Sequence, residues 1–217
     1  MFDYQPPDIQ PSTIYIDADL LVIDKPAELL SVPGRRPEHQ DCLLFRIQQT
    51  IPEALIVHRL DMSTSGLMVL ARNSLSQRHI SQQFEQRQVE KRYMAKVAGK
   101  VSPASSQVDL PLICDWPNRP KQIVDHEQGK RAITCYQVLS YDPVNDVTQI
   151  ALKPITGRTH QLRVHMQALG HPILGDDLYA DQATFSKADR LLLHAIELIF
   201  NHPTSGQRMI FTLPPPF

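Results

Sequence analysis

The nine residues His58-Arg59-Leu60-Asp61-Met62-Ser63-Thr64-Ser65-Gly66 place one carboxylate beside a histidine and an arginine in a run of small hydroxyl side chains. An ionised carboxylate held against a sugar can attack an electrophilic carbon, take up a proton, or stabilise positive charge that develops on the ring. An aspartate followed by Ser and Thr is also an ordinary turn former, because these short side chains bond back to their own backbone. A second dense polar run is Gly157-Arg158-Thr159-His160-Gln161-Leu162-Arg163-Val164-His165. His160 and His165 are five residues apart and do not share a helical face, which argues against a metal pair. Taken alone, this run also fits a capped helix start with surface arginines. Neither run comes with a glycine-rich phosphate loop or a ligand cluster, so neither a cofactor nor a metal is expected.

The elements around these runs follow from hydrophobic pattern. Thr13–Asp17 and Leu20–Lys25 are short β-branched or aliphatic runs separated by Ala18-Asp19, and they predict a hairpin. Leu30–Pro37 is a loop of turn residues carrying two arginines. Asp41 is placed to cap a helix to about Gln49, with Leu44, Ile47 and Ile51 on one side. A strand ending in Val57-His58-Arg59-Leu60 then leads through the polar run 61–66 to an apolar strand, Leu67–Ala71. Flanking strands would hold such a connection still while it presents reactive groups. Asn73 or Ser74 starts a polar helix to about Gln88 with Leu75, Ile80 and Phe84 as its thin apolar face. Strands are expected at Val89–Val97, Ile133–Tyr141, Val147–Ile155, Leu191–Phe200 and Met209–Leu213, and a helix at Thr159–Leu169. Strands outnumber helices and mostly connect as hairpins, so the expected class is α+β around a largely antiparallel sheet.

A chain of 217 residues, 42% hydrophobic, can bury a sizeable core, and it is read as a single domain over 1–217. Its 18 prolines against 8 glycines cluster at Pro6, Pro7 and Pro11, at Pro111–Pro120 and at Pro214–Pro216, which predicts extended loops or termini there. Cys42, Cys114 and Cys135 fit neither a disulfide framework nor a zinc pattern and are expected to be buried thiols. With no apolar run long enough to cross a bilayer and no leader-like start, a cytoplasmic protein without membrane contact is expected. The net charge of −1 hides an asymmetry: Arg87–Arg163 holds 12 Lys and Arg against 7 Asp and Glu. The middle of the chain is thus where a phosphate backbone could lie, although short windows also fluctuate by several charges.

Together the two polar runs resemble the RluA family of pseudouridine synthases, HRLDMSTSG matching its catalytic motif and GRTHQLRVH a later signature. The likeness extends in order through Leu21–Pro26, Lys91-Arg92-Tyr93, Gly170–Asp176 and Leu192-Leu193-His194-Ala195, so nearly the whole chain is covered. Asp109–Gln122 (DLPLICDWPNRPKQ) and Leu30–Gly34 narrow it to the type member of that family. The resemblance implies the family's catalytic domain, a largely antiparallel bent sheet flanked by helices and loops. It makes Asp61, Tyr93 and Arg163 the catalytic set: Asp61 the essential aspartate, Tyr93 the ring that stacks on the target uracil and takes part in proton transfer, and Arg163 the basic partner of the aspartate. Arg59 becomes the side chain that enters the RNA helix when the nucleotide leaves it. His58 and Leu162 join the substrate-binding set by motif, and Leu192 or Leu193 supplies an apolar wall.

Many relatives carry an N-terminal S4-type module. The sheet here is expected to begin at Thr13, leaving no room for one, so RNA selection falls to loops such as Leu30–Asp41 and Asp109–Gln122. The implied partners are structured RNAs, the anticodon stem-loop of some tRNAs and a hairpin of large-subunit rRNA, bound by a monomer. The rival readings are a non-catalytic RNA-binding protein or RNA chaperone on the same fold, and a hydrolase cleaving at C1′. A hydrolase would need a second acid, and no obvious one stands near Asp61 in sequence.

Overall fold

The computed structural model of the protein describes residues 4–217. The chain divides into two compact units, one through Lys91 together with His194–Pro216, the other Arg92–Leu193 with Phe217. In chain order the elements are β1 (Ser12–Ile16), β2 (Leu20–Lys25), α1 (Leu43–Gln48), β3 (Leu55–Ile56), β4 (Ser65–Ala71), α2 (Ser74–Glu85), β5 (Glu90–Ala98) and β6 (Ser105–Asp109). There follow β7 (Leu112–Cys114), β8 (Gln122–Val124), β9 (Ile133–Asp142), β10 (Val147–Pro154), α3 (Gln161–Ala168), α4 (Gln182–Phe185), β11 (Leu193–Asn201) and β12 (Arg208–Thr212). The α+β class with mostly antiparallel pairing is as expected, and β4 pairs with β11 in parallel.

In the first unit, β4 is buried at every position and pairs antiparallel with β2 from Leu20↔Ala71 to Lys25↔Gly66. A strand covered on both faces reads as a continuous apolar run rather than an alternating one. Its first residues pair with β11 at Ser65↔His194 and Gly66↔Ala195, and its last with β3. Gly66 is required there: its φ is +111°, and a Cβ would lie 2.4 Å from the Ala195 carbonyl oxygen. Leu20, Val22, Leu67, Val69, Ile80, Leu198 and Phe200 form the core of the unit.

Three local expectations fail in this unit for identifiable reasons. Cys42, not Asp41, caps α1, accepting from the Phe45 N–H, while Asp41 takes two 2.7 Å bonds from Arg46. The strand expected to run through Leu60 stops at Ile56, because side chains replace the ladder: His58 Nε2 accepts the Val69 N–H at 3.1 Å. In α2, capped by Asn73, Ile80 is buried and Phe84 half-buried, but Leu75 is 75% exposed, and the helix stops at Glu85 shortly before Arg87 turns to φ +58°.

In the second unit, β5, β10, β9 and β6 pair in that order, all antiparallel. Thr148, Ile150 and Leu152 alternate inward along β10, and Tyr93, Ala95 and Val97 along β5, as a half-covered sheet demands. The proline-rich segment read as extended loop instead contains the β7–β8 hairpin, because Pro111, Pro117 and Pro120 stand outside both strands. Leu112, Ala132 and Val164 bury its base against α3. Helix α3 begins at Gln161, two residues after the expected start. Its N-cap His160 is left-handed (φ +53°) and makes no side-chain cap, so a capped helix start does not explain this motif. Cys42 is buried, but Cys114 and Cys135 are half-buried, all with free thiols. Among the described residues, no helix is long and apolar enough to cross a membrane and no group of His, Cys, Asp or Glu could hold a metal.

Candidate active site

Asp61 lies on the connection from β3 to β4. The Lys25 ammonium, fully buried, donates at 2.8 Å to each of three carbonyls, those of Pro26, Met62 and Thr64. A single cation therefore collects the backbone on the C-terminal side of Asp61 and ties it to the end of β2. On the N-terminal side, Ser31 Oγ donates to the Leu60 carbonyl at 2.7 Å and accepts the Leu60 N–H at 3.2 Å. The Asp61 carbonyl accepts the Thr64 N–H at 3.1 Å, closing a turn. Both sides of the aspartate are fixed through backbone. Its half-buried carboxylate, by contrast, has no hydrogen-bond or ion-pair partner within this unit among the described residues.

The other motif residues of this unit divide by role. His58 is half-buried, stacks on Phe84 at 4.4 Å between ring centroids, and uses Nε2 on β4. Burial, and next the nearby Lys91, push its imidazole down to about 3, so the ring is neutral near neutral pH and can accept the Val69 N–H. Lys91 itself lies 5.6 Å over the Phe84 ring, and burial lowers its ammonium. Arg59 is exposed. Ser65 Oγ and His194 Nδ1 are 2.7 Å apart, pinning the first residue of β4 to β11.

The second unit holds Tyr93, Leu162, Arg163, Leu192 and Leu193. Tyr93 is 8% exposed on β5, opposite Leu152 of β10. Arg163 is buried rather than on the surface. Its Nε and Nη2 meet the two Asp176 oxygens at 2.8 and 2.5 Å, and Nη2 also meets Asp177 at 2.9 Å. Its guanidinium lies 5.2 Å over the Tyr179 ring. Asp176 is completely buried, and its Oδ1 also accepts the N–H groups of Leu178 and Tyr179. A buried charge pair is costly unless its remaining polar groups are met, and both Asp176 oxygens accept hydrogen bonds here. Leu162 and Leu193 are buried. Leu192 is half-buried, fixed through its backbone to Leu174 and Lys96.

The turn before α3 is held from within. Thr156 Oγ1 donates to Gln161 Oε1 at 2.7 Å and accepts the Ile133 N–H at 2.7 Å, while Gln161 Nε2 reaches the Ile133 carbonyl and Thr134. His165 bonds Thr134 and the Leu110 carbonyl, and burial lowers its imidazole more than that carbonyl and Asp109 raise it. Much of GRTHQLRVH thus builds the helix start. Lys25, Ser31, Gln161 and Asp176 escaped reading from the sequence as functional supports. All four lie inside matched segments, Lys25 in Leu21–Pro26, Ser31 in Leu30–Gly34, Gln161 in GRTHQLRVH and Asp176 in Gly170–Asp176, and that membership is the available signal.

A model of the RNA pseudouridylate synthase family matches residues 19–168. The dual-specificity RNA pseudouridine synthase RluA of Escherichia coli (strain K12) is 51% identical over 219 residues, covering 100% of this chain and 99% of that one. Its namesake from Vibrio vulnificus (strain CMCP6) is 51% identical over 209 residues, covering 94% of this chain and 84% of that one. Among solved structures, human RNA pseudouridylate synthase domain containing 1 superposes with a TM-score of 0.80 at 30% identity, covering 96% of this chain and 84% of that one. Human RNA pseudouridylate synthase domain containing 4 gives 0.73 at 28% identity, covering 94% and 88%. With the family model spanning both polar motifs and full-length relatives half identical, this chain belongs to the RNA pseudouridylate synthase family and is an isomerase that acts on RNA.

Proposed function

We propose that this isomerase has dual specificity, converting a uridine in the anticodon stem-loop of some tRNAs and a uridine in a large-subunit rRNA hairpin, and that Asp61 is its catalytic carboxylate. Supporting the first part, relatives half identical over the full chain are dual-specificity RNA pseudouridine synthases. The second rests on one observation: the backbone on both sides of Asp61 is clamped while its carboxylate is unpartnered within its unit.

The reaction breaks the bond from C1′ to N1, turns the released uracil, and joins C5 to C1′. A proton leaves C5 and one is gained at N1, so atoms balance without a redox partner or group donor. Cleavage develops positive charge on the ribose and negative charge on the base, and an ionised carboxylate at C1′ or C2′ serves as nucleophile or base. A uridine within a stem-loop hides its sugar and must be extruded, at a cost of a few kcal/mol. Stacking on Tyr93 would return about 1–3 kcal/mol of that. Arg59, exposed and always charged, is suited to fill the vacancy and meet phosphate or bases. Arg163 is assigned as basic partner of the aspartate, its plane set by Asp176. Of the two leucines, half-buried Leu192 is the better wall, because Leu193 is spent in the core. A cytoplasmic enzyme is the reading that fits RNA substrates of this kind, and it is taken to act as a monomer.

RNA carrying tritium at uridine C5 should release label to water with no free uracil; release of uracil would indicate hydrolysis instead. Pseudouridine maps of total RNA from cells with and without the gene test specificity. Loss of sites in both tRNA and large-subunit rRNA is expected, and loss in one class alone would refute dual specificity.

A further inference from the structure

The tip of the β7–β8 hairpin carries the only tryptophan in the chain, Trp116, and it is 65% exposed. A large aromatic left in water at a hairpin tip contributes nothing to the core of its unit, yet the loop that presents it is heavily ordered. Asp115 N–H donates to the Lys121 carbonyl at 2.9 Å, Asn118 N–H to the Asp115 carbonyl at 3.0 Å, and Lys121 N–H to the Asn118 carbonyl at 3.1 Å. The Asp115 carboxylate is occupied by Asn118 Nδ2 at 2.9 Å. At the base, Gln122 N–H donates to the Tyr179 hydroxyl at 2.8 Å, and that hydroxyl lies 2.7 Å from His160 Nδ1, fastening the hairpin to the start of α3.

The Arg119 guanidinium lies 4.8 Å from the centre of the Trp116 ring, covering one face and leaving an exposed aromatic surface beside it. Neither Arg119 nor Lys121 has an ion-pair partner among the described residues, and Ile123 on β8 is 43% exposed. A rigid indole, an arginine stacked on it and a second unpaired cation make up the chemistry that binds unpaired nucleotides. The ring stacks on a base and the cations meet the flanking phosphates. A paired base offers no free face, so the fitting ligand is a looped or unpaired segment of RNA rather than duplex.

We propose that Trp116 is a specificity-determining contact of this enzyme: an unpaired base of the substrate RNA, other than the uridine being converted, stacks on its ring while Arg119 and Lys121 hold adjacent phosphates. The assignment rests on the RNA-isomerase reading and adds to it a residue that no part of the chemistry requires. Because Trp116 is the sole tryptophan, its emission reports the contact directly.

The Asp61→Asn protein is titrated with bulk tRNA from cells lacking the gene and, separately, with a fully paired RNA duplex. Tryptophan emission should fall with tRNA and stay unchanged with duplex. Trp116→Ala should weaken tRNA binding by about ten- to one-hundred-fold, the range expected for losing one stacked base, and raise KM accordingly. Trp116→Phe should recover most of the loss, and thermal melts of both variants should match the parent. Unchanged emission with tRNA, equal quenching by duplex, or a Trp116→Ala affinity within twofold of the parent would each overturn the proposal. If those failures came while the unaltered enzyme still released tritium from C5-labelled uridine, the isomerase reading would stand and only the Trp116 contact would fall.

Discussion

The loop around Asp61 and the turn around Arg163 solve opposite problems with similar residue types. In the first, a buried lysine and a serine spend their bonds on main-chain groups, and the acidic side chain at the centre keeps no partner within its unit. In the second, the charged side chains consume one another, Arg163 against Asp176 and Asp177, with backbone N–H groups completing the cage. Fixing backbone while freeing a side chain suits a group that must change partners during a reaction. Fixing the side chain itself suits one that must present a constant field.

This contrast can be broken most forcefully at Arg163. Arg163→Met leaves Asp176 buried and charged without its partner and should cost about 3–5 kcal/mol of stability. A chemical-denaturation midpoint close to the parent's would show that the cage is not a buried ion pair in solution. At Lys25, Lys25→Met deprives three carbonyls of their donor, and a loss of roughly 3 kcal/mol is expected. Turnover should fall more than affinity in that variant, since the loop that aims the carboxylate loosens; unaltered turnover would mean that the clamp does not position Asp61. Gly66→Ala introduces a Cβ against the Ala195 carbonyl at a positive φ and should destabilise by more than about 1 kcal/mol, measured in the same way.

Acid distinguishes the first unit by a gentler route. The His58 imidazole is held at about 3, below its ordinary value of 6.5. Above pH 6.5 the ring is neutral folded or unfolded, and stability does not respond to it. Between about pH 6.5 and 3 the unfolded chain binds a proton that the folded chain refuses, so stability falls as pH falls, by at most about 1.4 kcal/mol per pH unit. The ring is only half-buried, and solvent screening keeps the loss below that ceiling. His58→Gln should flatten the slope, and an identical slope in this variant would assign the acid sensitivity elsewhere, His165 included.

Much of the fold is legible in the sequence. Strands β9 and β10 agree with their expected ranges to within one residue, because alternating burial on a half-covered sheet writes itself into the sequence. Asp61 and its neighbours stood out through the resemblance of two long motifs, not through periodicity. The hairpin at 112–124 was hidden because prolines crowd around its strands without entering them, and composition alone cannot tell beside from within. Leu75 points to water although it keeps helical spacing with the core residues of α2, since propensity and period say nothing of what packs opposite. Which carboxylate holds Arg163, and which carbonyls Lys25 collects, are choices made in three dimensions between residues up to 39 positions apart in sequence.

The most direct test pairs two readings on one protein, Asp61→Asn. Its unfolding free energy should stay within about 0.5 kcal/mol of the parent, as expected for a side chain that bonds nothing in its unit. Its single-turnover release of tritium from C5-labelled RNA, with RNA bound at saturation, should fall by at least about 10⁴-fold. Measurable turnover by this variant would contradict the assignment of Asp61 as the catalytic carboxylate, and a collapse of its stability would contradict a side chain that bonds nothing in its unit.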